Sequence, residues 1–284
     1  MQTAYSPERK FNVSPGSILF ISIHIACLLI LVVPFTWLGL GLCLGFFFLR
    51  KFAITAGYHR YFSHRSYKTS RLFQFLLAFI GGMSTQKGAI WWAANHRHHH
   101  KYSDRVEDIH SVDRDGFYWA HVGWVLSKEY DTFDQDSVKD LTRYPELVFL
   151  DKLHFIPPIT LAAVCVLTGW WTGGLIGAST CFVWGYLVST VILYHTTFSI
   201  NSLCHKFGSR RYETGESSKN SLILALITLG EGWHNNHHHY PLSTRQGFFW
   251  WEIDITYYIL KVLSWFRIVW SLQRPPRHLT AQAA

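Results

Sequence analysis

Two stretches of the sequence carry no Asp, Glu, Lys or Arg: Phe11 to Leu49, and Leu153 to His205. Both are rich in Leu, Val, Ile, Phe and Trp. A membrane-spanning helix takes about 20 mainly apolar residues, so each stretch has the length for two. Helices buried in a soluble core normally keep a polar face, which these stretches lack. Pro34 ends or kinks the first helix. Spans are therefore expected over about 17–33, 35–56, 156–171 and 175–200, entered at Ser14-Pro15-Gly16 and Pro157-Pro158.

The remaining chain alternates apolar and polar on a shorter scale. Residues 71–94 are apolar at both ends and polar at Ser84-Thr85-Gln86-Lys87, which suits a helical pair lying on the membrane surface. Residues 221–230 are apolar but too short to cross, and the tail from Trp250 is amphipathic, with its Trp and Tyr residues suited to the interface. The expected fold class is an all-α integral membrane protein. Four transmembrane helices would carry a helical cytoplasmic cap, built from 57–152 and 201–284, within a single domain over 1–284.

Charge gives this arrangement a direction. Lys and Arg number 26 against 18 Asp and Glu, a net charge of +8, and none lies at the turns around Pro34 and Thr172 to Gly174. Because cytoplasmic flanks carry the basic excess, both termini and the cap should face the cytoplasm. The excess suits attraction to anionic lipid, or docking of an acidic redox protein or a phosphate-bearing substrate. No nucleic-acid partner is expected. The five cysteines form no CxxC pair and read as small apolar residues in a reducing setting. The first apolar stretch has no clear small-residue cleavage site, so a retained span is expected rather than a removable signal peptide.

The candidate chemistry lies in the histidines. His96-Arg97-His98-His99-His100 and His234-Asn235-Asn236-His237-His238-His239 repeat one spacing. On a helix each residue advances about 100°, so His96, His99 and His100 share a face, as do His234, His237 and His238. His98 and His239 point elsewhere and are left out. An affinity tag has similar composition, but tags are terminal and these runs are internal, set among Trp91, Trp92, Tyr102, Trp233 and Tyr240.

His59 and His64 follow the second expected span. Their five-residue separation turns them about 140° apart on an ideal helix, so either the helix ends between them or they serve two different metals. At the exit of the fourth span Asn201 and His205, four apart, share a face. Asp104, Glu107 and Asp108, just after the first triplet, are either a solvated acidic loop or carboxylates that orient ligand imidazoles through their other nitrogen. His24, His154, His195 and His278 have no spacing partner. His110 and His121 sit in the cap as structural or supporting residues.

His59, His64, His96, His99, His100, His205, His234, His237 and His238, with Asn201 as a weaker tenth, exceed what one ion needs and argue for two. Zinc is redox-inert and its catalytic sites use about three protein ligands. A di-iron centre at the lipid surface suits oxidation by O₂ of an unactivated hydrocarbon chain.

These residues carry a resemblance. The sequence is similar to membrane-bound fatty acid desaturases, in particular the stearoyl-CoA desaturase-like Δ9 acyl-CoA or acyl-lipid group. It matches them in three boxes, His59 to His64, His96 to His100 and His234 to His238, in Asn201 to His205, and in Gly116-Phe117 to Gly123-Trp124. The resemblance implies a four-span enzyme with a cytoplasmic di-iron cap, O₂ as co-substrate and insertion of a cis double bond into a fatty acyl chain. It implies that the nine histidines bind metal and that Asn201 holds one ion through water. By matching position, Gln86, Trp92, Thr197 and Phe198 line the bend of a substrate tunnel. Electrons would come from a separate donor of ferredoxin, rubredoxin or cytochrome b5 type, since no haem-binding motif follows the boxes. One departure is Ala94-Asn95, where animal members carry charged residues, so their coenzyme A contacts need not be preserved.

Two other readings compete. A membrane di-iron hydroxylase of alkanes, sterols or carotenoids would share the boxes but release an oxygenated product. A metal transporter or sensor would need an ionisable pathway through the spans, and only isolated histidines lie there.

Overall fold

The computed structural model describes residues 13–281. The two chain ends, expected on the cytoplasmic side, lie outside the described residues. Helix α1 (Pro15–Cys27) begins with a reciprocal cap: Ser14 Oγ accepts from Ser17 N, and Ser17 Oγ accepts from Ser14 N. Pro15 costs nothing there, because a first-turn residue has no helical partner for its N–H. A 3₁₀ turn, Leu28–Leu31, leads to Pro34. Thr36 caps α2 (Trp37–Phe52) by accepting from Gly39 N. The helix then continues unbroken through Ala53–Ser63, where its winding widens to the i→i+5 pattern of a π-helix.

Next comes a feature absent from the all-helical expectation. Strand β1 (Lys68–Thr69) pairs antiparallel with β2 (Val269–Trp270), clipping the tail to the segment that follows His64. Helices α3 (Arg71–Gly82) and α4 (Ala89–Tyr102) form the expected pair, but they do not simply lie on a surface. Leu77, Ala78, Ile90, Ala93 and Ala94 are buried in the cap core with Tyr58 and Phe62. Only α3 keeps an exposed apolar edge, at Leu72 and Leu76. Asp151 Oδ1 accepts from Ile90 N and Trp91 N, placing a carboxylate on the orphan donors of the α4 N-terminus.

The chain continues with α5 (Val112–His121), kinked where Gly116 takes φ +82°, then α6 (Lys139–Thr142) and α7 (Pro145–Lys152). Helical winding then runs from Ile156 to Lys206, 51 residues, long and apolar enough to cross a membrane, as is Trp37–Ser63. A straight helix of 51 residues would reach about 75 Å, far beyond a bilayer core of about 30 Å. Instead the chain reverses at Gly173-Gly174, where Gly174 sits at φ +58°. After the turn the arms pack so closely that a Cβ on Gly169 or Gly177 would strike the other's backbone. Thus α8 (Ile156–Phe182) holds the turn, and its second arm passes through π-wound Val183–Val188 into α9 (Ser189–Lys206). That arm outruns the expected end at residue 200 and keeps Asn201 and His205 helical. At the reversal, Trp171 is 91% and Leu175 75% exposed, apolar surface of the kind a bilayer covers.

The chain closes with α10 (Leu222–Ile227), α11 (His234–His239), α12 (Ile255–Trp265) and α13 (Arg277–Ala281). One apolar cluster sits in the cap; a second, including Phe20, Ile23, Cys43, Leu161 and Cys165, joins the apolar helices. Arg50 locks the two regions. Fully buried, it donates to Phe46 O, Met83 O, Thr190 Oγ1 and Ser189 Oγ at 2.6–3.1 Å, spreading its charge over four acceptors.

Candidate metal centre

The nine histidines singled out by spacing come together, in two groups. His59, His64, His96, His100 and His237 form one; His99, His205, His234 and His238 form the other. Within each group the candidate ligand atoms lie within 4.8 Å of one another. The π-winding explains the first pair. Where α2 closes its turns at i→i+5, His64 N bonds His59 O at 3.2 Å and the two rings stand 4.9 Å apart. The π-helix ends at Ser63 with His64 as its C-cap, so of the two alternatives the helix end between them holds, and both rings join the same group.

The triplet on α4 is divided as its face allows. His96 and His100 turn to the first group and His99 to the second. Arg97, off that face, donates to Phe62 O at 2.6 Å and Ser63 O at 2.9 Å and pairs with Asp140. A cation thereby caps the C-terminal carbonyls of the π-turn and ties the first two boxes together. His98 bonds the Glu107 carbonyl at 2.8 Å, and His239 stacks on Tyr212 at 4.2 Å, so both lie outside the groups.

Carboxylates behind the rings decide which nitrogen faces inward. Glu231 accepts from His59 Nδ1 and is itself gripped by Arg60 at 2.9 and 3.1 Å. Asp108 accepts from His99 Nδ1 at 2.9 Å. Glu216 lies 3.6 Å from Nδ1 of both His205 and His238, and Asp104 holds Ser217, whose hydroxyl is 3.1 Å from His205 Nδ1. Of the acidic residues after the first triplet, Asp108 and Asp104 are therefore built into the site rather than solvated. Burial works against the Glu231 charge, but His59 and Arg60 outweigh it and hold the carboxyl down at about 2. Burial, then repulsion among the rings, pushes His96, His100, His234, His237 and His238 well below the ordinary histidine range. For His99 burial also opposes charge, yet Asp108 prevails and raises it.

The rings turn their Nε2 atoms toward one another. His59 Nε2 and His100 Nε2 each lie 3.0 Å from His237 Nε2; His64 and His96 meet at 2.8 Å, and His205 and His234 at 3.0 Å. His237 has at most one proton on Nε2, so it cannot satisfy both neighbours. In the second group the buried Nε2 atoms of His99 and His238 have no hydrogen-bond partner. Converging and orphaned nitrogens fit a cation at the middle of each group. Gln246 supports the same reading. Its amide nitrogen lies 3.3 Å from His59 Nδ1 and 3.4 Å from His237 Nδ1, while its buried oxygen is unpartnered. Exchanging amide oxygen and nitrogen gives His237 Nδ1–H an acceptor and removes the orphan.

Beside the first group runs a cavity of about 330 Å³ lined by His96, Asn201, Gln86, Trp92, Thr197 and Phe198 among others. All four residues matched to a tunnel bend therefore border one space. Gln86 and Lys51 both donate to Thr197 Oγ1, at 3.5 and 3.2 Å, and Trp92 stacks on His96 at 4.9 Å. Asn201 also lines the cavity. Sequence spacing missed several partners: Glu231, Glu216, Gln246, Arg60 and a row of three imidazoles. In that row His24 Nε2 is 3.2 Å from His195 Nε2, and His195 Nδ1 is 3.0 Å from His121 Nε2. No short-range pattern marks the imidazole row, whose members come from α1, α9 and α5, while Glu216, Glu231 and Gln246 lie in connecting segments outside the helices.

Comparison with known proteins adds independent information. Residues 35–265 match the model of the fatty acid desaturase family. An acyl-CoA C20 Delta5-desaturase of Anemone leveillei is 33% identical over 273 residues, 94% of this chain and 84% of that protein. The sn-1 stearoyl-lipid 9-desaturase of Synechocystis sp. (strain ATCC 27184 / PCC 6803 / Kazusa) is 34% identical over 267 residues, 93% and 81% of the two chains. That of Anabaena variabilis is 34% identical over 252 residues, 88% and 89%.

Proposed function

The chain belongs to the fatty acid desaturase family and is an oxidoreductase; from that premise we propose that it inserts one cis double bond, at Δ9, into a saturated fatty acyl chain. The balance is two C–H hydrogens, O₂, two electrons and two protons in, one C=C bond and two waters out. Two iron ions are the proposed cofactor. His59, His64, His96, His100 and His237 would hold one, and His99, His205, His234 and His238 the other, with Asn201 reaching the centre through water. When bound, the irons supply the O₂ activation that breaks unactivated C–H bonds.

The protein's part is positional. Glu231, Asp108 and Glu216 keep protons on Nδ1, so that Nε2 stays free to bind. Arg60 and Arg97 fix the turns that carry the rings. Trp92, Thr197, Phe198 and Gln86 form the wall against which a chain bends beside His96. Apolar lining keeps water from the reacting carbons. Electrons come from a separate redox protein of ferredoxin, rubredoxin or cytochrome b5 type.

The topology is part of the proposal: four spans, with termini and cap cytoplasmic. It is supported by the reversal at Gly173-Gly174, the exposed Trp171 and Leu175 there, and the confinement of Lys and Arg to the opposite end. The functional reading rests on one juxtaposition, two groups of inward-facing imidazoles beside a mainly apolar cavity. Expression in a desaturase-deficient host followed by mass spectrometry of total lipids tests it. A new monoene with the double bond at carbon 9 is expected. A monoene unsaturated elsewhere would overturn the position alone, and a new alcohol would favour a hydroxylase.

A further inference from the structure

The lining of the cavity changes character from its inner to its outer end. Inside are the buried Thr197 and Phe198 and the half-buried Trp92. The exposed members are Gly16 and Leu19 from the start of α1, His154 and Phe155 from just before α8, Ile159 from its start, and Asp131 from the segment after α5. Leu19, Phe155 and Ile159 are about half exposed or more. They continue the outward apolar surface of α1 and α8, so the mouth opens sideways where the apolar helices meet the cap.

Among the described residues, charge at this mouth is balanced. Among the described lining residues Lys87 is the one Lys or Arg; it is paired with Asp131 and stands over the Trp91 ring at 4.5 Å. Neighbouring segments add Lys128 and Lys152 but also Glu129 and Asp151. A coenzyme A thioester carries a polyanionic 3′-phospho-ADP that calls for a net cationic landing site. A chain esterified to a glycerolipid needs none: its head group stays at the interface while the tail slides between two apolar helix ends.

Building on the desaturase reading, we propose that the substrate is the acyl chain of a bilayer glycerolipid, entering laterally through the slot bounded by Leu19, Phe155 and Ile159. The full-length protein is placed in vesicles of phosphatidylcholine whose sn-1 stearoyl chain bears a photoactivatable diazirine, irradiated, and mapped by peptide mass spectrometry. Adducts are expected at the slot and at inner residues such as Trp92. Excess stearoyl-CoA should lower them less than twofold. Plugging the slot with Leu19→Trp and Ile159→Trp should lower inner labelling by about tenfold, as overpacking of a fitted site does. Displacement by stearoyl-CoA, or inner labelling unchanged by the plug, overturns the slot. Because this readout needs no turnover, it judges the slot even if no monoene is ever found. Pulse-labelled stearate in the host separates the two readings. Monoene arising first in glycerolipid supports the lipid substrate, monoene first in acyl-CoA overturns it, and no monoene overturns the desaturation itself.

Discussion

The two imidazole groups are built from the same residue type but in different surroundings. In the first, five rings crowd together, one of them, His96, borders the cavity, and a single carboxylate, Glu231, stands behind them. In the second, four rings are served by Asp108 and Glu216, and none of the four lines the cavity. The group nearer the cavity is thus richer in neutral donors, and the farther one richer in negative charge. A pair of ions held this way would be electronically unequal, the inner one less compensated and the outer one more firmly anchored.

Breaking either group at a ring should have the largest effect. His237→Ala removes the nitrogen that faces both His59 and His100, and His99→Ala the one held by Asp108. Each should abolish monoene formation and lower bound iron, measured by elemental analysis of purified protein. Normal iron content in both variants would overturn the ligand assignment.

Changing the carboxylates should sharpen the contrast. Glu231→Gln and Asp108→Asn keep size but remove the charge, and each should weaken iron retention by about 10–100-fold. Glu231→Gln also strips buried Arg60 of one of its two carboxylate partners, so it should cost folding stability as well, seen as a lower midpoint of thermal unfolding. Asp108→Asn should leave that midpoint closer to the parent's. Equal midpoints would argue that the two carboxylates play interchangeable parts.

The smallest effect is expected at the neighbours that share the boxes without facing inward. His98→Ala and His239→Ala should retain iron and product, with stability changes of about 1 kcal/mol or less. Loss of iron in either would show that its ring joins a group from which its carbonyl bond or tyrosine stack now separates it.

How much of this was legible differs from element to element. The triplets could be read because His96, His99 and His100 lie within one ordinary helix, whose 100° step is a local property. The pair His59 and His64 could not. Whether a segment winds as α or π depends on the helices packed around it, here α3 and α4. Asp108 was visible as a candidate because it is close in sequence to His99. Glu216 and Gln246 were not, since nothing local links them to the rings they approach.

Taken alone, the sequence determined the class of protein: uncharged runs long enough for membrane helices, a reversal at paired glycines, and histidines at helical spacing. Each follows from interactions between residues a few positions apart, or from transfer of whole segments out of water. Tertiary structure alone decided that nine rings divide five and four, that carboxylates from distant loops set their tautomers, and that the cavity opens between α1 and α8. Those outcomes depend on distances between helices, which packing sets and no spacing along the chain encodes.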